Sequence, residues 1–177
     1  AILHLAEKDR DSGRLNLPDG ILVSRNNFEL AIVKINKDIS SNNHKIIQKC
    51  VPDYQYVIPA AGSLVIREAD VSITLREIDV AELPDFKEIG PCIAFFDLDR
   101  LRYPLLVRNL RPGDRFSPLG LSGTQKVKKY FSNHKVPLVQ RNKCPLLLSS
   151  GNIIWIAGHC IDNTVKVNAL TRRVLKA

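Results

Sequence analysis

Short apolar runs, each closed by a turn signal, constrain this chain more than any other feature. "YQYVIPA", "SLVIREA", "VSITLRE", "CIAFFDLDR" and "YPLLVRN" are strand-length stretches rich in β-branched and aromatic residues. Gly62 and Asp70 supply turns between them, and "DVAELPDFKEIGP" is a longer connection. Upstream, Pro18-Asp19-Gly20 and Asn26-Asn27 are turns, each followed by a strand-like run, and residues 28–35 read as a largely buried strand. Downstream, "CPLLLSS-GN-IIWIAGHCID" reads as a hairpin turning near Ser150-Gly151-Asn152, and "TVKVN" and "TRRVLKA" as short final strands. Residues 1–10 have helix-like composition, and residues 38–53 read as a loop with one short strand.

One clear helix interrupts the strands, at about 124–134. Ser122 or Thr124 can cap it, and Pro137 stops it. Val127, Tyr130 and Phe131 share one face at i, i+3 and i+4, with His134 one turn on. That face packs on a sheet, so Lys126 and Lys129 point away from it and Lys128 lies at the flank. The expected class is α+β and β-rich. The expected organisation is a helix end and linker at 1–13, then one domain at 14–177. That domain has a β-rich part, 14–104, and a basic part, 105–177.

The chain has 177 residues, enough to bury a core without staples. It has no methionine and opens like the tail of a helix, which suggests a piece of a longer protein. It shows neither a signal peptide nor an apolar run long enough for a membrane span. Cys50, Cys92, Cys144 and Cys160 are scattered, without a C-x-x-C pair or a histidine at ligand spacing, so neither zinc nor a disulfide framework is expected.

Charge is unevenly placed. Residues 1–104 carry 13 Lys/Arg and 16 Asp/Glu, a net of −3. Residues 105–177 carry 13 Lys/Arg and only Asp114 and Asp162, a net of +11. Such a split points to a polyanion partner for the second part.

Catalytic constellations are not found. Gly120-Leu121-Ser122-Gly123-Thr124-Gln125-Lys126 has the wrong spacing for a nucleotide-binding P-loop, and no Ser/Thr follows the lysine. The S-G-G-x-D-S pyrophosphatase loop is absent. His4, His44, His134 and His159 have no recognisable nucleophile partner, and His159 and Cys160, as neighbours on a strand, point to opposite faces. Asp97 and Asp99, flanked by Arg100 and Arg102, read as solvated ion pairs rather than a metal site.

What remains is a basic constellation: Arg108, Arg111, Arg115, Lys126, Lys128, Lys129, Lys135, Arg141 and Lys143, with Asp114 the only acid among them. Arginine offers phosphate a planar fork and lysine a mobile point charge. Few aromatics are interleaved, which favours recognition of a duplex through phosphate and 2′-OH over a single-strand stacking platform.

The ordered words Arg111-Pro112-Gly113-Asp114-Arg115-Phe116, Lys126…Phe131, Val136-Pro137, Arg141, Pro145-Leu146-Leu147 and Trp155…Gly158 resemble the C-terminal domain of the bacterial tRNA(Ile)-lysidine synthetase family. The match is strong over about 105–168 and only one of texture over 14–104. The resemblance implies a β-sandwich of unusual topology with a helical layer, like one in the phenylalanyl-tRNA synthetase β subunit. It implies a cytoplasmic ligase that uses ATP and Mg²⁺ to attach lysine to the wobble cytidine of tRNA(Ile) with anticodon CAU. Catalysis lies in an N-terminal domain outside this sequence, so no cofactor is expected here. The implied partners are that tRNA, gripped near its acceptor stem, and the N-terminal domain; the family is compatible with a homodimer. Where the family often has Gly-x-Arg after the tryptophan strand, this chain has Gly158-His159-Cys160. Two other readings stay open: a docking module that orients the catalytic domain without touching RNA, and a small-molecule or editing site.

Overall fold

The computed structural model describes residues 12–18, 21–26, 29–34, 52–86 and 89–177; over 12–34 it describes mainly the backbone. The helix-like start, the Asn26-Asn27 turn, most of the 38–53 loop and Cys50 lie outside the described residues. The chain divides into two compact units, 1–47 and 48–177. The sequence reading placed its internal boundary at 104/105, where charge changes. The unit boundary lies elsewhere because strands on both sides of residue 104 share one sheet.

In the first unit β1 (Ser12–Leu17), β2 (Ile21–Asn26) and β3 (Glu29–Lys34) form an antiparallel meander. Val23 pairs with both Leu15 and Ile32. Val23 is buried but Ile32 is 61% exposed, so residues 28–35 are not buried throughout.

The second unit is a sheet sandwich with a helical layer. One sheet contains β4 (Gln55–Ile58), β8 (Leu105–Arg108), β11 (Leu146–Ser149), β12 (Asn152–Ile156) and β13 (Cys160–Ile161), in the order β13-β12-β11-β8-β4. The other contains β5 (Gly62–Ile66), β6 (Val71–Ile78), β7 (Phe95–Asp97) and β14 (Val174–Lys176), in the order β5-β6-β14-β7. Their facing sides share a core that includes Ile66, Leu75, Phe96, Leu105, Val107, Leu147, Trp155 and Leu175. Helices α1 (Val127–Asn133) and α2 (Leu138–Lys143) belong to the opposite layer, where Val127, Tyr130 and Phe131 meet Leu146, Leu148 and Ile156.

Strand β11 shows why the run "LLLS" is apolar without alternation. Leu147 faces the sandwich, Leu146 and Leu148 face the helices, and all four residues are buried. A strand covered on both faces needs no polar side. Its partner β12 carries a bulge: Leu147 pairs with Trp155 and Leu148 with Ile153, leaving Ile154 as the extra residue. Ile154 and Trp155 therefore both enter the sandwich core. The hairpin turns at Ser150 (φ 48°) and Gly151 (φ 80°), as its sequence indicated.

Other expectations change in detail. The helix begins at Val127 because Gln125–Lys126 form strand β10, paired with β9 (Arg115–Phe116). Lys126 is its N-cap, without a side-chain cap bond, so neither Ser122 nor Thr124 fills that role. α1 ends at Asn133, ahead of Pro137, which is the N-cap of α2, a helix not expected from the sequence. Residues 163–165 form a 3-10 turn, leaving β14 as the last strand. Asp97 is buried: it accepts from the Asp99 amide and the Thr171 hydroxyl and pairs with Arg100 at 3.2 Å. Asp99 pairs with Arg173, not Arg102, at 2.7 Å.

Candidate nucleic-acid interface

The stretch from β8 to α1 is organised by one carboxylate. Asp114 accepts two hydrogen bonds at 2.8 Å from the Arg108 guanidinium and one at 2.7 Å from the Arg111 amide. The turn Arg111-Pro112-Gly113-Asp114 closes around it, with Gly113 at φ 91°, a conformation that favours glycine. The Asp114 carbonyl then accepts from the Val127 amide at 3.0 Å, which ties the start of α1 to this turn.

Arg108 is therefore a structural arginine. It is 7% exposed and also donates to the Asn109 carbonyl at 2.9 Å. Its equal standing with the other cations in the sequence reading does not hold, because its fork is spent on Asp114. Arg141 is also turned inward. It donates to the Val136 carbonyl at 2.6 Å and to Ser132 at 3.1 Å, stitching the α1–α2 corner, and burial lowers its pKa.

Arg111, Arg115, Lys126, Lys128, Lys129, Lys135 and Lys143 are exposed. Arg111 reaches Gln55 at 2.8 Å. Arg115 reaches the Thr124 hydroxyl at 3.1 Å, which orients its guanidinium along the ribbon. Lys126 lies directly opposite Arg115 in the β9–β10 register. Phe116, in the neighbouring register position, is buried, so the Arg115–Lys126 pair occupies the outward face. Lys128 and Lys129 follow in the first turn of α1, whose Val127, Tyr130 and Phe131 are buried as its periodicity indicated. The structure thus groups Arg115, Lys126, Lys128 and Lys129, with Arg111 at the preceding turn. Lys143 lies at the end of α2, where its carbonyl accepts from the Tyr54 hydroxyl at 2.9 Å. Gln55, which holds Arg111, was not singled out from sequence, since it carries neither charge nor motif; Thr124, which holds Arg115, was read there only as a helix cap.

The acids of residues 105–177 do not counter these cations. Asp114 is committed to Arg108. Asp162 is buried and accepts from the Ser117 and Thr164 amides. Like charges placed directly across a strand pair repel, so Arg115 and Lys126 together favour an anion.

Lys135 sits just past α1 at φ 52°. The Val136 amide reaches back to the Phe131 carbonyl at 2.9 Å, a helix ending whose left-handed residue is usually glycine. Lys135→Gly is expected to raise stability by up to about 1 kcal/mol, less the extra entropy of a glycine in the unfolded chain. Thermal unfolding of the two proteins at one protein concentration checks this.

Beyond α1, His134 stacks on Tyr130 with centroids 4.0 Å apart, and His159 meets Phe131 edge-on at 5.5 Å. Burial, and then the proximity of His134, lower the His159 pKa. Burial raises that of Cys160, whose thiol donates to the Ile161 carbonyl at 3.2 Å. Cys160 thus holds a neutral thiol. Among the described residues, no group of His, Cys, Asp and Glu is arranged to hold a metal ion, and no helix is long and apolar enough to cross a membrane.

Residues 105–175 match the family model described as the TilS substrate C-terminal domain. The tRNA(Ile)-lysidine synthase of Geobacter sulfurreducens is 33% identical over 174 residues, which span 97% of this chain and 34% of that protein. The tRNA(Ile)-lysidine synthase of Caldanaerobacter subterraneus subsp. tengcongensis is 29% identical over 174 residues, 98% of this chain and 34% of that protein. A crystal structure of a TilS C-terminal domain superposes with a TM-score of 0.60 at 25% identity, covering 71% of this chain and 95% of that one. An N-terminal fragment of the phenylalanyl-tRNA synthetase β subunit from Pyrococcus horikoshii gives 0.43 at 22% identity, over 48% of this chain and 26% of that one. The chain spans about a third of the length of the curated relatives it matches. Residues 105–175 therefore form a TilS substrate C-terminal domain, and the chain corresponds to the C-terminal part of a tRNA(Ile)-lysidine synthase.

Proposed function

We propose that this chain is the tRNA-gripping part of a cytoplasmic tRNA(Ile)-lysidine synthase. The whole enzyme uses ATP and Mg²⁺ to join lysine to the wobble cytidine of tRNA(Ile) with anticodon CAU, and this part holds the tRNA body near its acceptor stem. The relatives' names supply the substrate class. The observation that carries the reading is the outward Arg115–Lys126 pair, continued by Lys128 and Lys129, on a surface whose two acids are both turned inward.

The grip works by charge and placement. A β9–β10 ribbon held by hydrogen bonds presents one guanidinium and one ammonium side by side, and α1 adds two ammoniums a turn away. Arg111 extends the track at the turn before the ribbon. Phosphates docked there displace condensed counterions, which makes binding strongly salt-dependent. With four or five phosphates neutralised, log K should fall against log salt with a slope of roughly −3 to −4.5, at about 0.7–0.9 per phosphate. Titration of the 177-residue chain with tRNA at several salt concentrations tests this. A flat slope, or no affinity for tRNA at low salt, refutes the proposal.

A further inference from the structure

We propose that the recess beside the β9–β10 loop seats one unpaired nucleobase of a bound RNA. The inference rests on the RNA-binding reading above and adds a base contact to a grip so far made of phosphate contacts.

The recess encloses about 270 Å³, and its walls include Phe86, Ile93, Phe95, Leu119, Trp155 and His159. Trp155, only 4% exposed, belongs to the sandwich core as well as to the recess. Phe86, Ile93 and Leu119 are 56%, 42% and 48% exposed. Single exposed apolar side chains are ordinary, but three around one aromatic-walled recess form a patch with something to cover. Phe86 is set edge-on against Phe95, with centroids 5.9 Å apart at 86°.

Three observations identify the occupant. First, the recess is bordered by elements that also carry the cations. Leu119 lies in the loop that joins β9 to β10, the two strands that carry Arg115 and Lys126. That loop is pinned by the Leu119 amide on the Ile161 carbonyl at 3.2 Å and by the Pro118–Asp162 bridge. At its other side His159 touches Tyr130 and Phe131 of α1. A strand whose phosphates lie on the ribbon and α1 therefore runs along elements that border this opening. Second, the described lining is mostly apolar and aromatic, which suits a flat aromatic ring. Third, the polar groups at the rim are those a base edge can use. His159, whose charged form is disfavoured by burial and by His134, presents one ring nitrogen as donor and the other as acceptor. A volume of this size admits a single ring system, not the apolar face of a helix. The larger recess, about 440 Å³, adjoins Arg76 and Lys176 and shares no residue with the ribbon or its loop.

The test compares two RNAs on the 177-residue chain: a paired duplex, and the same duplex carrying one bulged 2-aminopurine. The bulged RNA is expected to bind about tenfold tighter, the scale of one base–aromatic stack, with quenching of 2-aminopurine fluorescence. Phe86→Ala removes most of that preference and leaves duplex affinity and its salt slope unchanged, whereas Phe86→Trp keeps the preference. Phe86 is exposed enough for its truncation to leave the fold intact, and a thermal melt verifies that. Equal affinity of the native chain for the two RNAs overturns the inference, as does a preference that survives Phe86→Ala. Failure to bind either RNA at low salt refutes the RNA reading and this inference together. Salt-dependent binding without a bulge preference refutes this inference alone.

Discussion

Asp114→Ala is expected to lower the stability of the second unit by about 3–5 kcal/mol, the scale of breaking a buried ion pair from one side. The Arg108 and Asp114 side chains are 9% and 10% exposed and meet at 2.8 Å. Removing the carboxylate strands a guanidinium beside the five-stranded sheet and leaves the Arg111 amide without its acceptor. The start of α1 loosens too, because the Val127 amide depends on the backbone of the same turn. Removing both charges is milder. Arg108→Met with Asp114→Asn leaves no buried charge unpaired, and the Asn side-chain oxygen can still accept from the Arg111 amide. The double variant should recover most of the loss. Urea unfolding read as a shift in midpoint at constant slope measures both. A single variant within about 1 kcal/mol of the native protein would show that the pair is dispensable.

Lys126→Glu is expected to separate stability from binding. In the native ribbon Lys126 repels Arg115 across the strand pair. Glutamate there faces Arg115 with opposite charge and stabilises the ribbon by a few tenths of a kcal/mol to about 1 kcal/mol. The same change places a negative charge on the phosphate track and engages the neighbouring guanidinium. Affinity for tRNA should fall roughly tenfold or more at low salt, and the salt slope should shrink by about 1 to 2, one or two phosphate contacts being lost. A variant that is no less stable yet binds tRNA poorly is what a surface shaped for an anion predicts. Unchanged tRNA affinity would assign the charge to solubility instead, and cross-links from residues 111–143 to protein would favour the docking-module reading.

Much of this architecture was legible where local chemistry dominates. Val127, Tyr130 and Phe131 revealed their buried face by spacing alone, and Ser150-Gly151-Asn152 announced a hairpin turn. The misread features depend on partners distant in the chain. Nothing local distinguishes Arg108 from Arg111, yet one is committed to a buried carboxylate and the other is exposed. Thr124 looked like a helix cap because hydroxyls before a helix usually are; its pairing with Arg115 needs the β9–β10 ribbon, which is only two residues long per strand. Asp97 looked solvated beside Arg100, but Thr171, 74 residues away, meets it inside the protein. The recess walled by Phe86, Leu119 and Trp155 was invisible for the same reason, since these residues converge only in the folded chain.

The order β5-β6-β14-β7 has a consequence for how the molecule is made. Of its two interior strands, β6 and β14, the second is the last of the four in chain order: Val174 pairs with Ile78 on one side and Asp97 on the other. While the chain emerges from the ribosome, β6 and β7 each expose an unpaired edge that no earlier segment satisfies. The sandwich can close only when residues 174–176 have been delivered, after a wait set by translation of nearly eighty residues beyond β7. During that interval the nascent chain is most open to wrong strand pairing.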